Sequence, residues 1–117
     1  MNYDEINVFR QILDGKIAGD IVLTNESAVA INDIMPKAKI HILVIPRGRF
    51  VDFFDFHANA SSIEKQNFYD LITEVLSMRG LDQAGFKLIT RSGSDGGQEV
   101  PHFHVHILGG EFVGNLS

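Results

Sequence analysis

The 117-residue sequence has no cysteine, no tryptophan and only three prolines. Without cysteine there can be neither a disulfide framework nor a thiolate metal site. No apolar run approaches the roughly 20 residues that a membrane span needs. The opening Met1-Asn2-Tyr3-Asp4-Glu5 is acidic and lacks a signal-peptide pattern, so a cytoplasmic protein with no membrane partner is expected. Basic residues are outnumbered 10 to 15, and the net charge of −5 argues against a nucleic-acid partner. The hydrophobic share, 44%, is ordinary, and the length suits a single domain over residues 1–117.

Against this plain background one stretch stands out, His102-Phe103-His104-Val105-His106-Ile107-Leu108, which holds three of the five histidines. Strict alternation of this kind predicts a half-buried strand, and β-branched and aromatic spacers favour it. On a strand, residues two apart share a face, so the three imidazoles are expected side by side, with Phe103, Val105 and Ile107 turned to the core. Imidazole serves as base, nucleophile or metal ligand near neutral pH. The bland alternative is three solvated polar residues on an amphipathic edge strand.

In chain order, Asp4 is expected to cap a short helix with Ile6, Phe9, Ile12 and Leu13 on its apolar face and Gly15 as its stop. Ile21–Thr24 and Ala28–Ile31 flank Asn25-Glu26-Ser27 and read as a hairpin. Asp33 follows the second strand, as either a turn residue or a hydrogen-bond acceptor. Lys39–Ile45, ending at Pro46, reads as a central strand buried on both faces, and it carries His41. Residues 47–60 form an aromatic connection with Phe50, Phe53, Phe54 and Phe56, either a short helix or a flap over the core. Ser61-Ser62-Ile63-Glu64 has capping-box spacing ahead of a long helix reaching about Arg79, with Gly80 after it. Phe86–Arg91 reads as a further strand. The loop Ser92–Gln98 then leads to the histidines; its consecutive amides could form an anion nest, or it could be a plain hairpin turn. The order gives an α+β fold: a mainly antiparallel five-stranded sheet with one short and one long helix.

The run His102–Leu108 resembles the histidine triad motif, in which three histidines alternate with apolar residues. Val8–Ile17, Ile31–Pro36, Ala38–Pro46 and Gly93–Gln98, followed by Gly109-Gly110, resemble other motifs of the same family, in the branch of histidine triad nucleotide-binding proteins. The resemblance spans about residues 8–110. It implies a HIT-like fold whose sheets join across a homodimer, the helix around Leu71 to Met78 supplying interface surface. It also implies a purine nucleoside phosphoramidase or related nucleotide hydrolase that needs no cofactor and no metal.

By the same resemblance His104 attacks the α-phosphorus, His106 contacts the phosphoryl oxygens and leaving-group side, and His102 and His41 orient the imidazoles. Asp33 would hold the ribose hydroxyls. Val8, Phe9, Ile12 and Ile34 would enclose the base of an AMP- or GMP-like substrate, and Gly97, Gln98 and Val100 would surround the phosphate. Three departures bear on the leaving group. Arg91 stands where asparagine is usual, and would strengthen anion binding or pair with Glu99. Glu99 stands where some members carry a serine proton donor, and Pro101 replaces a common tyrosine. The tail from Glu111 lacks a tryptophan that some relatives place near a partner's site. Two other readings compete: a nucleotide-binding regulatory module without strong catalysis, and a zinc enzyme using two strand histidines with His41. Against zinc, no carboxylate motif adjoins the triad in the sequence.

Overall fold

A computed structural model describes residues 1–116. Five strands form one antiparallel sheet in the order β1-β2-β3-β5-β4. They are β1 (Ile21–Thr24), β2 (Ala28–Asn32), β3 (Ile40–Pro46), β4 (Lys87–Ile89) and β5 (Val105–Gly109). The helices are α1 (Val8–Leu13), α2 (Phe53–Asn59), α3 (Ser62–Met78) and α4 (Leu81–Ala84).

Period two sorts the strands into two unlike faces. Ala28, Ala30, Ile42, Val44, Val105 and Ile107 point to one side, where α3 lays down Phe68, Leu71, Ile72, Val75 and Leu76. Phe103 stacks on Phe68 with ring centroids 5.1 Å apart and lies 4.9 Å from Phe56. Burying a ring of this kind stabilises by roughly 1.5–3 kcal/mol. Helix α3 starts as expected: the Ser61 hydroxyl accepts from the Glu64 amide, and the Glu64 carboxylate accepts from the Ser61 amide. The aromatic connection divides its labour. Phe50 and Phe56 fill the core, while Phe53 and Phe54 stay exposed on α2.

Val29, Ile31, Leu43 and Ile45 point to the other side, where the short α1 covers them with Phe9, Ile12 and Leu13, helped by Val100 from the loop before the histidines. Six residues are too few to be stable alone. The α1 cap is Asn7, whose Oδ1 accepts from the Arg10 amide, not Asp4 as the sequence suggested. Asp4 instead accepts from Ile6, in the turn before the helix, and Ile6 is left exposed.

Three further expectations change. The histidine run is not one strand: β5 begins only at Val105, so His102 to His104 precede the ladder. Phe86 to Arg91 contributes just three strand residues, and a short α4 lies before it. Within the stretch from Leu71 to Met78 expected to supply interface surface, Leu71, Ile72, Val75 and Leu76 are spent on the chain's own core, while Met78 stays exposed. Also exposed beside that helix are Phe53, Tyr69, Phe86 and Leu88, next to the unpaired edge of β4. No helix is long and apolar enough to cross a membrane.

Candidate active site

On the thinly covered face of the sheet lies a cleft of about 890 Å³. Register explains which histidines meet there. Leu43 of β3 pairs with His106 of β5, and His41 lies two residues along from Leu43 on the same face. The ring of His106 accordingly lies 5.2 Å from His41 and 5.1 Å from His104. Phe9 packs edge-on against His104, with centroids 4.9 Å apart.

His41, His104, His106, Glu99, Val8, Phe9, Ile12, Asp33, Ile34, Arg91, Gly97, Gln98 and Val100 all line the cleft. His102 does not. Its imidazole is fully buried, so the expectation of three histidines on one open face fails at its first member. The reason is local: the chain has not yet joined the ladder at His102, and the ring turns inward to bond Pro46 and Tyr3.

The partners of each ring fix where its proton sits, because a carbonyl can only accept and an amide can only donate. His104 Nδ1 lies 2.7 Å from the His102 carbonyl and therefore carries the hydrogen, leaving a bare lone pair on Nε2. His41 Nδ1 accepts from the Lys37 amide at 3.1 Å, so its hydrogen is on Nε2. That N–H points at His106 Nδ1, 2.9 Å away, with Asp33 Oδ2 at 3.4 Å. His106 is then an acceptor at Nδ1 and a donor at Nε2. His102 donates from Nε2 to the Pro46 carbonyl at 2.8 Å and accepts the Tyr3 hydroxyl at Nδ1, 2.7 Å away.

All four rings are held neutral. Burial pushes His102 down to about 4, with the Arg10 charge adding to it. Burial, then the repulsion that a proton on His104 or His41 would exert, brings His106 to about 4 as well. His104 is lowered chiefly by burial, and further by Arg91. For His41 burial again leads, partly opposed by the Asp33 carboxylate.

Asp33, His41 and His106 offer ligand atoms within 4.8 Å of one another, so the structure supplies the carboxylate that the sequence hid. Their arrangement suits a shared proton better than a metal. The two nitrogens stand 2.9 Å apart, a hydrogen-bond distance, whereas two nitrogens on one tetrahedral zinc lie about 3.3 Å apart. Ligation through His41 Nε2 would also drive its proton onto Nδ1, against the Lys37 amide hydrogen.

The glycine loop is shaped by contact. A Cβ on Gly96 would lie 2.3 Å from the Ser92 carbonyl oxygen, and Gly97 has φ +75°. The amides of Gly97 and Gln98 are already bonded to Ser94 and Gly93, so they are not the donors of an anion nest. Among the described residues the amides of Glu99 and Val100 make no hydrogen bond and are the ones left to face an anion. The buried Gln98 side chain ties the loop together instead, accepting from Gly93 and donating to Val51 and Val100.

Arg91 runs beneath this loop, its Cδ 3.8 Å from where a Gly97 Cβ would be. No salt bridge joins it to Glu99, so of the two roles open to it the pairing with Glu99 is not formed. Among the described residues its guanidinium has no hydrogen-bond partner, and its charge bears on both His104 and His106. Sequence reasoning missed Lys37, whose amide bonds His41 four residues on, and Tyr3, whose hydroxyl bonds His102 across 99 residues of sequence. Neither sits in a motif that would have marked it.

Known proteins resemble this chain over nearly its whole length. Residues 14–113 match the family model described as HIT domain. An uncharacterized HIT-like protein of Azospirillum brasilense is 42% identical over 97% of this chain and 93% of its own length. Among solved structures, a HIT family hydrolase from Legionella pneumophila superposes with a TM-score of 0.85 at 30% identity, covering 94% of this chain and 97% of that one. A histidine triad protein from Clostridium difficile gives 0.83 at 33% identity, with both chains fully covered.

Proposed function

The chain belongs to the HIT domain family, and on that premise we propose that it is a hydrolase of purine nucleoside phosphoramidates or acyl nucleotides, acting through a nucleotidyl-histidine. The observation that carries this reading is the proton inventory. His104 is neutral, has its hydrogen tied to the His102 carbonyl, and presents an unprotonated Nε2 to the cleft. A neutral imidazole so oriented is a competent nucleophile, and a covalent intermediate divides one hard step into two.

In the first half-reaction the Nε2 lone pair forms a bond to the α-phosphorus and the bond to the leaving nitrogen or acyl oxygen breaks. A leaving amine takes a proton from solvent passing Glu99, and an acyl group departs as its carboxylate without one. The imidazole becomes cationic, and its Nδ1–H bond to the His102 carbonyl becomes charge-assisted, hence stronger. His106 directs Nε2–H at the phosphoryl oxygens; with the Arg91 guanidinium and the Glu99 and Val100 amides it stabilises their charge. In the second half-reaction water attacks phosphorus, its proton passes by way of Glu99 to solvent, and the phosphorus–Nε2 bond breaks to release nucleoside monophosphate.

Asp33 keeps lone pairs for the ribose hydroxyls beyond the one its Oδ1 offers the Met35 amide. Val8, Phe9, Ile12 and Ile34 would flank the base. Only Phe9 is buried, while Ile34 is 89% exposed at the lip, ready to close on a ring. Two copies joined at β4 would cover Phe86 and Leu88, and light scattering at micromolar protein should then give twice the chain mass. The decisive experiment is to incubate the protein with an adenosine phosphoramidate, quench, and map the adduct by mass spectrometry. A nucleotidyl group on His104 is the expected result; a productive reaction with no adduct, or an adduct elsewhere, sinks the reading.

A further inference from the structure

We propose that Tyr3, which lies outside the matched family span of residues 14–113, is a positioning residue that holds His104 in its reactive orientation through His102. The inference rests on His104 being the nucleophile. His104 sits on a piece of chain that the sheet does not hold, since β5 begins one residue later, at Val105. Its orientation depends on the bond from its Nδ1–H to the His102 carbonyl, so whatever fixes residue 102 fixes the lone pair on Nε2.

The His102 ring is fully buried and gripped at both nitrogens. Nε2 donates to the Pro46 carbonyl at the end of β3, and Nδ1 accepts the Tyr3 hydroxyl at 2.7 Å across 99 residues of sequence. The tyrosine ring also packs on the imidazole, with centroids 5.5 Å apart. Other ties reach the main chain here: His102 N–H donates to the Val100 carbonyl at 2.9 Å, Phe103 N–H donates to Phe50, and the Thr90 hydroxyl donates to the His104 carbonyl at 2.8 Å. None of these orients the His102 ring. Remove the tyrosine hydroxyl and a buried ring nitrogen loses its only donor, with no water-exposed direction in which to recover one. A ring clamped at one end only can shift in its pocket, and repacking it loads the Cα of residue 102, from which the peptide plane carrying the carbonyl hangs.

The segment has a second, independent anchor, the ion pair of Glu5 with Arg49 at 2.8 Å. Both side chains are more than half exposed, so this tie is weak and serves as a control.

The test compares wild type, Tyr3→Phe and Glu5→Gln in the full chain. Tyr3→Phe keeps the ring that packs on His102 and removes only the hydroxyl. Three readouts are taken well below the melting temperature: histidine ring-nitrogen signals by NMR, the single-turnover labelling rate with adenosine phosphoramidate, and the Kd for AMP. The expected result is a displaced His102 Nδ1 signal, a smaller Nδ1–H fraction at His104, and labelling slowed about tenfold with AMP affinity unchanged; Glu5→Gln matches wild type in all three. Tyr3→Phe with wild-type His104 signals and labelling rate overturns the proposal, and so does Glu5→Gln reproducing its effects, which would make the segment and not the hydroxyl responsible. If wild type is never labelled, the hydrolase reading falls by itself, and unchanged His104 signals in Tyr3→Phe still overturn the role of Tyr3.

Discussion

The two faces of the sheet are made from alternate residues of the same strands, yet they are held by different physics. On the α3 face, Phe68, Phe103, Val105 and Ile107 are interchangeable in kind: each contributes by leaving water, without regard to direction. On the cleft face, His41, His104 and His106 carry the same ring, yet His104 bears its proton on Nδ1 while His41 and His106 bear theirs on Nε2, because their partners differ. One face needs only volume. The other needs three particular backbone or ring partners at hydrogen-bond distance, so a small displacement matters more there than a lost methyl group.

That difference is open to attack first at His104. His104→Ala removes one lone pair from a half-buried position and leaves the opposite face untouched. Turnover of an adenosine phosphoramidate should fall by about three orders of magnitude or more. AMP binding by calorimetry should persist, because Asp33 and the base-flanking residues remain. Near-wild-type turnover would show that the cleft face is not organised around this nitrogen.

Phe68→Ala attacks the other face. The ring is 1% exposed and touches Phe56 and Phe103, so its loss should cost roughly 3–5 kcal/mol in urea denaturation. The kcat of the protein that remains folded should hardly change. A large fall in kcat with little loss of stability would mean that packing on the α3 face sets the imidazole geometry after all.

A third, smaller effect belongs to His102, which is buried as deeply as the core yet titratable. Its folded pKa of about 4 lies below the ordinary 6.5, so the unfolded chain binds the extra proton first. The stability it contributes is fully present above pH 6.5 and is lost as pH falls towards 4. His106, also lowered to about 4, adds to the same window. His102→Gln should be less stable at pH 7 and flatter between pH 6.5 and 4 by urea midpoint. A slope equal to wild type would assign the acid sensitivity elsewhere.

What the sequence made legible follows the same division. Period two and the capping box located the sheet, α3 and the core side of the histidine run, because burial leaves a repeating mark. The motif placed His104, His106, His41 and Asp33 in one cleft. It did not reveal that His102 turns inward, since strand register decides that, and the register starts only at Val105. Nor did it reveal the Lys37 amide or the Tyr3 hydroxyl. A backbone amide is present at every non-proline residue, so nothing in the letter K marks position 37 as the donor that sets the proton of His41. The bonded amides of Gly97 and Gln98 were equally invisible, because loop closure uses the same groups that a nest would.

The smallest expected effect tests whether charge, as well as proton placement, organises the cleft face. Arg91 has no carboxylate partner there and opposes protonation of both His104 and His106. Replacing it with methionine keeps most of the stem that lies against Gly97 while deleting the cation. The pKa of His104 should then rise towards 6.5, because one of the causes that lowers it is gone while burial remains. The acid limb of kcat/KM reports ionisation in the free enzyme, so its midpoint should move up by about half a pH unit. Arg91→Lys retains the charge and should leave the midpoint near wild type even where its plateau is lower, since an ammonium does not reproduce the planar fork of the guanidinium. Added salt should narrow the gap between wild type and Arg91→Met, because it screens the charge without altering burial. An acid limb that stays in place in Arg91→Met would leave desolvation alone as the cause of the lowered His104, and the cleft face would then differ from the core face in proton placement only.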